Sequence, residues 1–467
     1  MEFKQFYLDC LSQASYLVGA DGECAIVDPK RDVEEYVAEA QARGLKITHV
    51  IETHLHADFV SGHVELAERT GATIHVGHAA GAEFPHHPVH EGDEVVMGNV
   101  VLRFLETPGH TPESICIVVT DNSAGEQPKM VLTGDTLFIG DVGRPDLVSS
   151  KGFTAEDMAG FMYDTLRDKL MTLPDEVEVY PAHGAGSACG KNISTALTST
   201  IGEQKQLNHA LQPMSKEDFI KISVTNLPPS PAYFSHDAEI NRQGAPALAS
   251  LPAPLALSPN DVDARVTRGA LVLDTRDAAS FGHGHVPDSI NIGLGGTFAA
   301  WCGSLLPLDA PLILIAESRD AVDEAVMRLA RVGLHTVAGF LDGGVASWEA
   351  SGRGVTSVPQ VSVDELAGRL ADGARAPFVL DVRGPGEYEN GHVPGAMNIP
   401  LPQLAERAGE LDPAQPTAVI CLGGYRSSAA CSLLERAGVE KLVNVTGGTR
   451  AWIEAGHATR KAEPAIS

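Results

Sequence analysis

Apolar positions in the first half of the chain come in short unbroken runs separated by turn residues. Cys24–Asp28 (CAIVD), His49–Thr53 (HVIET), Val100–Leu105 (VVLRFL) and Met130–Leu132 each read as a buried strand. Between them, Val33–Arg43 and Val64–Arg69 carry helical spacing, and Gly71 ends the second. Such alternation predicts an α/β unit reaching about residue 225. Pro-rich stretches follow at Leu227–Pro231 (LPPSP) and Ala245–Pro259 (APALASLPAPLALSP). Pro and Ala without charge predict an extended, fairly stiff linker. Tyr233, Phe234 and Ile240 give residues 227–244 the alternative of packing on the first domain as a surface loop.

Beyond the linker the pattern repeats. Leu271–Leu294 (LVLDTRDAASFGHGHVPDSINIGL) matches Phe378–Leu401 (FVLDVRGPGEYENGHVPGAMNIPL) at one constant spacing, that from Asp274 to Asp381. Gly343, Gly344 and Trp348 find counterparts in Gly447, Gly448 and Trp452. A unit this long is a duplicated domain, not a solenoid repeat. Each copy opens on a buried strand (LVLD, FVLD). A second strand follows (LILIA, AVICL), then a helix expected at Asp323–Val332 or Ser428–Ala437, which is a parallel α/β arrangement. The expected division is residues 1–245, a linker at 246–258, and domains at 259–355 and 356–467.

Composition then removes whole classes of function. The 467 residues hold 34 Lys and Arg against 61 Asp and Glu, a formal charge of −27. Nucleic-acid binding needs clustered cations, and so does docking on an anionic membrane, so neither is expected. No apolar run is long enough to span a bilayer. Met1–Cys10 (MEFKQFYLDC) lacks a basic stretch followed by an apolar core, so no secretory leader is expected. Seven cysteines without a CxxC point to free thiols in a reducing cytoplasm.

The chemistry concentrates at strand ends. Thr53-His54-Leu55-His56-Ala57-Asp58 follows the strand at residues 49–51. Gly109-His110, Thr133-Gly134-Asp135 and Tyr180-Pro181-Ala182-His183 sit beyond later apolar runs. Several His and Asp on converging loops suit a metal better than they suit packing. By contrast, His75, His78, His86, His87 and His90 read as a solvated loop that could bind metal adventitiously. Arg144 in Gly140–Asp146 (GDVGRPD), Tyr180, and Lys191 in Gly184–Lys191 (GAGSACGK) are candidates for binding the carboxylates of a thiol cofactor.

With its THxHxD motif, the first 245 residues or so resemble the metallo-β-lactamase superfamily, nearest to glyoxalase II and the persulfide dioxygenases. That resemblance implies an αββα sandwich. The glyoxalase II pattern has a His after the motif's Asp that helps bind a second metal; here Phe59 stands there, which favours one metal. Persulfide dioxygenases hold one iron(II) by two His and one Asp, and motif by motif these fall on His54, His110 and Asp135. His56, Asp58 and His183 would then orient ligands and water.

In the second repeat the strand at 419–420 leads into Cys421-Leu422-Gly423-Gly424-Tyr425-Arg426-Ser427. A Cys before a glycine-bearing loop can have backbone N–H groups curled around its sulfur, and Arg426 adds positive charge, so thiolate is favoured. This loop resembles rhodanese sulfurtransferases, as do the DxR, GHVPGAMNIP and TGGTRAW segments. Cys421 and Arg426 are the expected catalytic pair there, with Gly423 and Gly424 binding substrate. Aligning Gly333 with Gly438 puts Ala316 at the Cys421 position, in a loop (Ala316-Glu317-Ser318-Arg319-Asp320) without thiol or glycine. The first copy resembles a catalytically silent rhodanese. Cys302 and Cys431 are expected to be structural.

Metal site, silent rhodanese and working rhodanese in this order resemble the persulfide dioxygenase–rhodanese fusions of sulfide detoxification. The resemblance implies a metallo-β-lactamase αββα sandwich followed by two rhodanese-like parallel α/β domains, with one Fe(II) per chain. It also implies as partners a small thiol persulfide (glutathione, coenzyme A or similar), O2 and sulfite, in a cytoplasmic homo-oligomer. A dizinc thioester hydrolase of the glyoxalase II kind is the rival enzyme, and Zn its metal. A sulfane-sulfur sensor or scaffold is the rival without catalysis. Anionic persulfides entering so acidic a protein lead to the expectation of a local basic lining around Arg144 and Arg426.

Overall fold

The computed structural model describes residues 1–147, 152–373 and 376–461. The chain divides into two compact units, residues 1–251 with 329–334, and residues 252–328 with 335–467.

The first unit is built on two six-stranded sheets. One runs in the order Glu2–Leu8, Gln13–Ala20, Glu23–Val27, Lys46–Glu52, Thr73–Gly77, His87–Val89. The other runs Ser199–Thr200, Glu178–Pro181, Pro128–Gly134, Ile115–Asp121, Val100–Glu106, Glu94–Met97. Their facing residues form one core, in which Val18, Val27 and Ile51 meet Leu102, Phe104, Ile117 and Leu132. Each sheet covers its other face with helices. Tyr36, Ala40 and Leu66 of Glu34–Ala42 and His63–Thr70 close the first, and Met162, Leu166 and Phe219 of Ala155–Asp168 and Lys216–Val224 close the second. Strands buried on both faces must be apolar throughout, which is why they were legible as continuous runs.

Two expectations need correction. Between the two Pro-rich stretches lies a helix, Phe234–Gln243, that buries Phe234, Asp237 and Asn241, so residues 227–244 pack through a helix and not as extended chain or loop. The next residues also pack on the first unit, where the Arg31 guanidinium donates to the Pro246 carbonyl and Leu248 N donates to Glu65 at 2.8 Å. The histidine-rich stretch is not all solvated loop either. His75 lies buried within a strand, 2.9 Å from His49, and His87 opens an edge strand.

The second unit holds two five-stranded sheets of identical topology. Their orders are Leu255–Leu257, Val337–Leu341, Leu312–Ile315, Leu271–Asp274, Ile290–Asn291 and Gln360–Val361, Leu442–Val445, Thr417–Ile420, Phe378–Asp381, Met397–Asn398. Every pairing in both is parallel. The residues that repeat between the copies hold the fold. Arg383 forks onto Asp381 at 2.7–3.0 Å and donates to the Gly391 carbonyl; Arg276 does the same with Asp274 and Gly284. Asn398 Nδ2 donates to the carbonyls of Asp381 and Arg383, and Asn291 to those of Asp274 and Arg276. His392 stacks on Tyr388 at 3.7 Å, and His285 on Phe281 at the same distance.

Arg383→Ala strands a fully buried carboxylate. The expected cost is about 3–5 kcal/mol, as for a broken buried ion pair. Calorimetry should show the second unit unfolding several degrees earlier while the first is unmoved.

Candidate metal centre and sulfur-carrying loop

Four strand-end loops of the first unit converge. His54 and His56 follow the strand Lys46–Glu52, His110 follows Val100–Glu106, Asp135 follows Pro128–Gly134, and His183 follows Glu178–Pro181. All five are essentially buried. The ligating atoms of His54, His110 and Asp135 lie within 4.8 Å of one another. Asp135 Oδ2 is 3.8 Å from His54 Nε2 and 3.5 Å from His110 Nε2. Both His54 Nε2 and Asp135 Oδ2 are buried without a hydrogen-bond partner. Two orphaned lone-pair atoms facing one another at more than hydrogen-bond distance fit a cation between them.

Hydrogen bonds behind the ligands aim them. His110 Nδ1 donates to the Arg144 carbonyl at 2.9 Å, leaving the Nε2 lone pair toward the cluster. Thr53 Oγ1 donates to Asp28 Oδ2 at 2.8 Å and so accepts from His54 Nδ1 at 3.0 Å, which fixes the same tautomer. His183 bridges Asp135 Oδ1 at 2.7 Å and Asp58 Oδ2 at 2.8 Å. Burial alone would raise the Asp135 carboxyl, but His183, His54 and His110 hold it well below the usual range.

His56 is drawn elsewhere. Its Nε2 lies 3.1 Å from Asp28 and 3.4 Å from Glu52, and its ring packs on Phe59 at 4.3 Å. Burial would lower its pKa, yet Asp28, Glu52 and Asp58 raise it to about 9. The motif's second histidine thus faces the buried carboxylates Asp28 and Glu52 beneath the loop, and the three ligating atoms lie within 4.8 Å of one another. Asp28 and Glu52, which hold it, belong to no motif. Their only sequence mark is their place at the ends of apolar runs.

The helix Phe234–Gln243 also serves the site. Asn241 Nδ2 donates to the carbonyls of His56 and Phe59 at 2.7 and 2.8 Å, and Asn241 Oδ1 accepts from Ser61 N. A cavity of about 110 Å³ lies against the cluster, lined by Leu55, Ala57, His110, Thr111, Phe234 and Ala238 among others. It has the volume of about three to four waters, and its walls are mixed, with Glu113, Ser235, Glu239 and Arg242 beside the apolar side chains.

The basic lining expected at Arg144 does not form. Its guanidinium is buried and forked onto Asp146 at 2.7 Å, with further bonds to the Ala188 and Pro228 carbonyls. Lys191 donates to the carbonyls of Ile222, Ser223 and Thr225, capping the end of the helix Lys216–Val224. Tyr180 packs with Phe3 and Tyr16 and bonds Glu178. A buried thiol absent from the sequence-based site, Cys189, lies near Asp58 and His183, with all three ligating atoms within 4.8 Å.

In the second repeat, Cys421 lies between the strand Thr417–Ile420 and the helix Tyr425–Arg436. Gly424 N donates to its sulfur at 3.1 Å, and Ser427 Oγ lies at 3.4 Å. Gly424 has φ +100°, a conformation that turns the loop tightly into the helix. Behind the loop, Thr449 N and Arg450 N donate to the carbonyls of Cys421 and Leu422 at 2.8 and 3.1 Å. The carbonyls are held on that side, and the N-terminus of the helix Tyr425–Arg436 faces the sulfur. A side chain on Gly448 would collide with the Cys421 and Leu422 backbone. Arg426 is likewise spent, forked onto Glu387 at 2.7 Å on both arms. Burial would raise the Glu387 carboxyl, but this pairing outweighs it and holds the group below its usual range.

The strand register places a residue of the first copy at the Cys421 position. Asp274 pairs with Ile315 as Asp381 pairs with Ile420, so the next residues, Ala316 and Cys421, correspond. The silent copy still supports its neighbour. Asn291 Oδ1 accepts from Ser428 Oγ at 2.6 Å, and Tyr425 Oη donates to the Gly293 carbonyl at 2.7 Å. Cys302 and Cys431 are both buried.

Comparison with known proteins matches three segments of the chain. Residues 8–183 match the metallo-beta-lactamase superfamily, and residues 258–351 and 362–455 each match the rhodanese-like domain. The persulfide dioxygenase ETHE1, mitochondrial, of Mus musculus is 31% identical over 219 residues, covering 46% of this chain and 77% of that protein. Hydroxyacylglutathione hydrolase of Rhodospirillum rubrum is 34% identical over 225 residues, covering 48% and 77%. Among solved structures, a metallo-beta-lactamase from Staphylococcus aureus subsp. aureus COL is 35% identical with a TM-score of 0.65, covering 73% of this chain and 98% of that one. Among the described residues no helix is long and apolar enough to cross a membrane.

Proposed function

Because the chain belongs to the metallo-beta-lactamase superfamily and carries two rhodanese-like domains behind that fold, we propose that it oxidises a small thiol persulfide with O2 and transfers sulfane sulfur through Cys421. Its relatives include a persulfide dioxygenase, and together with the rhodanese-like domains they support a role in sulfur metabolism. The observation that carries the finer reading is the ligand set. Two imidazoles and one carboxylate face one another, while His56 is paired off with Asp28 and Glu52. Such a set leaves coordination positions open on one side, as mononuclear iron oxygenases require. His54, His110 and Asp135 would hold one iron(II), and that ion supplies the redox electrons and open coordination that O2 chemistry needs. The overall change is persulfide plus O2 plus water giving thiol and sulfite.

The protein's own part is orientation and exclusion. Thr53 and the Arg144 carbonyl fix the imidazole tautomers, His183 fixes Asp135, and the Asn241 helix borders a small cavity beside the cluster. The cavity admits O2 and a terminal sulfur but not the body of a thiol carrier, which must remain outside it. A dizinc hydrolase finds less support. Phe59 supplies no ligand where the hydrolase pattern has a His.

At the second site, the Cys421 thiolate attacks the outer sulfur of a persulfide and releases the thiolate of the carrier. Sulfite then attacks the outer sulfur of the Cys421 persulfide, giving thiosulfate and the free thiolate. The Gly424 N–H and the helix N-terminus stabilise sulfur anions in both steps. The carrier is a glutathione- or coenzyme A-like thiol. Anaerobically purified protein should contain about one iron per chain and consume O2 only when a thiol persulfide is supplied. Absence of uptake with every thiol persulfide tried would refute the dioxygenase assignment, and two zincs with acylthiol turnover would install the hydrolase in its place.

A further inference from the structure

A second constellation lies at the edge of the first unit, made of side chains the metal centre does not use. His78 sits in the turn after the strand Thr73–Gly77, His90 just beyond the edge strand His87–Val89, and Glu106 at the end of the strand Val100–Glu106. Their ligating atoms lie within 4.8 Å of one another. Glu106 Oε1 is 2.9 Å from His78 Nδ1 and 3.8 Å from His90 Nδ1. The two rings stack at 4.5 Å with 26° between their planes.

Both histidines are exposed, so neither is held here by burial. Two stacked imidazoles that converge on one carboxylate oxygen gain more from one shared dication than from two protons, whose charges repel. Two nitrogens and an oxygen, open to water on the remaining side, suit a borderline divalent ion such as Zn(II). The nearby cation, Lys169, is engaged with Glu91 and with the Glu106 backbone carbonyl, both at 2.6 Å.

We propose that His78, His90 and Glu106 form a surface site for a divalent transition-metal ion that clamps the two sheets of the sandwich together. His78 and His90 follow strands of one sheet, and Glu106 belongs to the other. An ion bound there would join the open ends of both layers, and would stabilise the folded state by binding only when the three segments are assembled.

The test is titration of zinc chloride into the full-length chain, with resident metal measured before and after and unfolding of the first unit followed by calorimetry. One further zinc per chain is expected, with a rise in the unfolding temperature and no loss of resident metal. His78→Ala or His90→Ala should weaken zinc uptake by about tenfold or more. The double substitution should abolish both uptake and thermal shift. An H86A/H87A variant controls for the neighbouring histidines and should behave as the parent. The proposal fails if no extra zinc binds, if zinc enters only as resident metal leaves, or if the H78A/H90A double variant binds zinc as the parent does.

Discussion

Cys421→Ser should abolish thiosulfate formation from persulfide and sulfite while O2 uptake with persulfide continues. The loss expected for removing a covalent nucleophile is about 10³-fold or more. A hydroxyl occupies nearly the volume of the thiol, so the Gly424 N–H and the Ser427 hydroxyl keep a partner and the fold is retained. Sulfite should then accumulate in the variant in place of thiosulfate, which coupled O2-electrode and anion-chromatography measurements would show. Unchanged thiosulfate yield would mean that Cys421 is no catalyst and that the second unit only stores sulfur. Cys431 provides the control. It is fully buried in the helix behind the loop, and burial pushes its thiol above the usual range, so Cys431→Ala should leave transfer intact.

His110→Ala should have the opposite effect. Removing one of three ligands costs more than the ~10–100-fold in metal affinity typical of outer partners, so iron and O2 uptake should both fall to background. Sulfur transfer from thiosulfate or persulfide through Cys421 should persist, since His110 belongs to the first unit and Cys421 to the second. His56→Ala distinguishes a ligand from a support. If His56 is a support held by Asp28 and Glu52, its loss should lower thermal stability more than iron content. A full O2 rate in His110→Ala would refute the ligand assignment outright.

The two sites were not equally legible in the sequence. The strand Glu23–Val27 was visible as CAIVD because its residues from Cys24 on are buried, and Lys46–Glu52 was visible through its buried Val50 and Ile51. The strand-end loops marked a wider set of His and Asp, the resemblance to persulfide dioxygenases singled out His54, His110 and Asp135 among them, and the structure brings these three together. The helix Phe234–Gln243 was hidden among prolines that signal extended chain, and its partner atoms are backbone carbonyls, which leave no trace in side-chain identity.

Charge compensation was also missed. Asp146 stands two residues from Arg144 in the same GRPD turn, and Glu387 is 39 residues from Arg426. An isolated cation in a sequence invites a ligand, yet a carboxylate already in place forms the same fork. For Arg144 it is the backbone carbonyl, not the guanidinium, that touches the metal centre's hydrogen-bond shell. The repeat was the clearest signal of all, because one copy served as the measure of the other.

That measure has one more reading. The two copies keep the same length through this stretch, since Ile315 corresponds to Ile420 before the loop and Gly333 to Gly438 after the helix. In that register Glu317, Ser318, Arg319 and Ala321 stand where the working copy has Leu422, Gly423, Gly424 and Arg426. Restoring a thiol at position 316 would therefore give a cysteine whose loop has Arg319 in place of the left-handed Gly424 and no counterpart of Arg426. The first repeat departs from the working loop at several positions, not at one. Freed from catalysis, that copy can drift at its old active loop, while the face bearing Asn291 and Gly293 stays bound to the helix it supports.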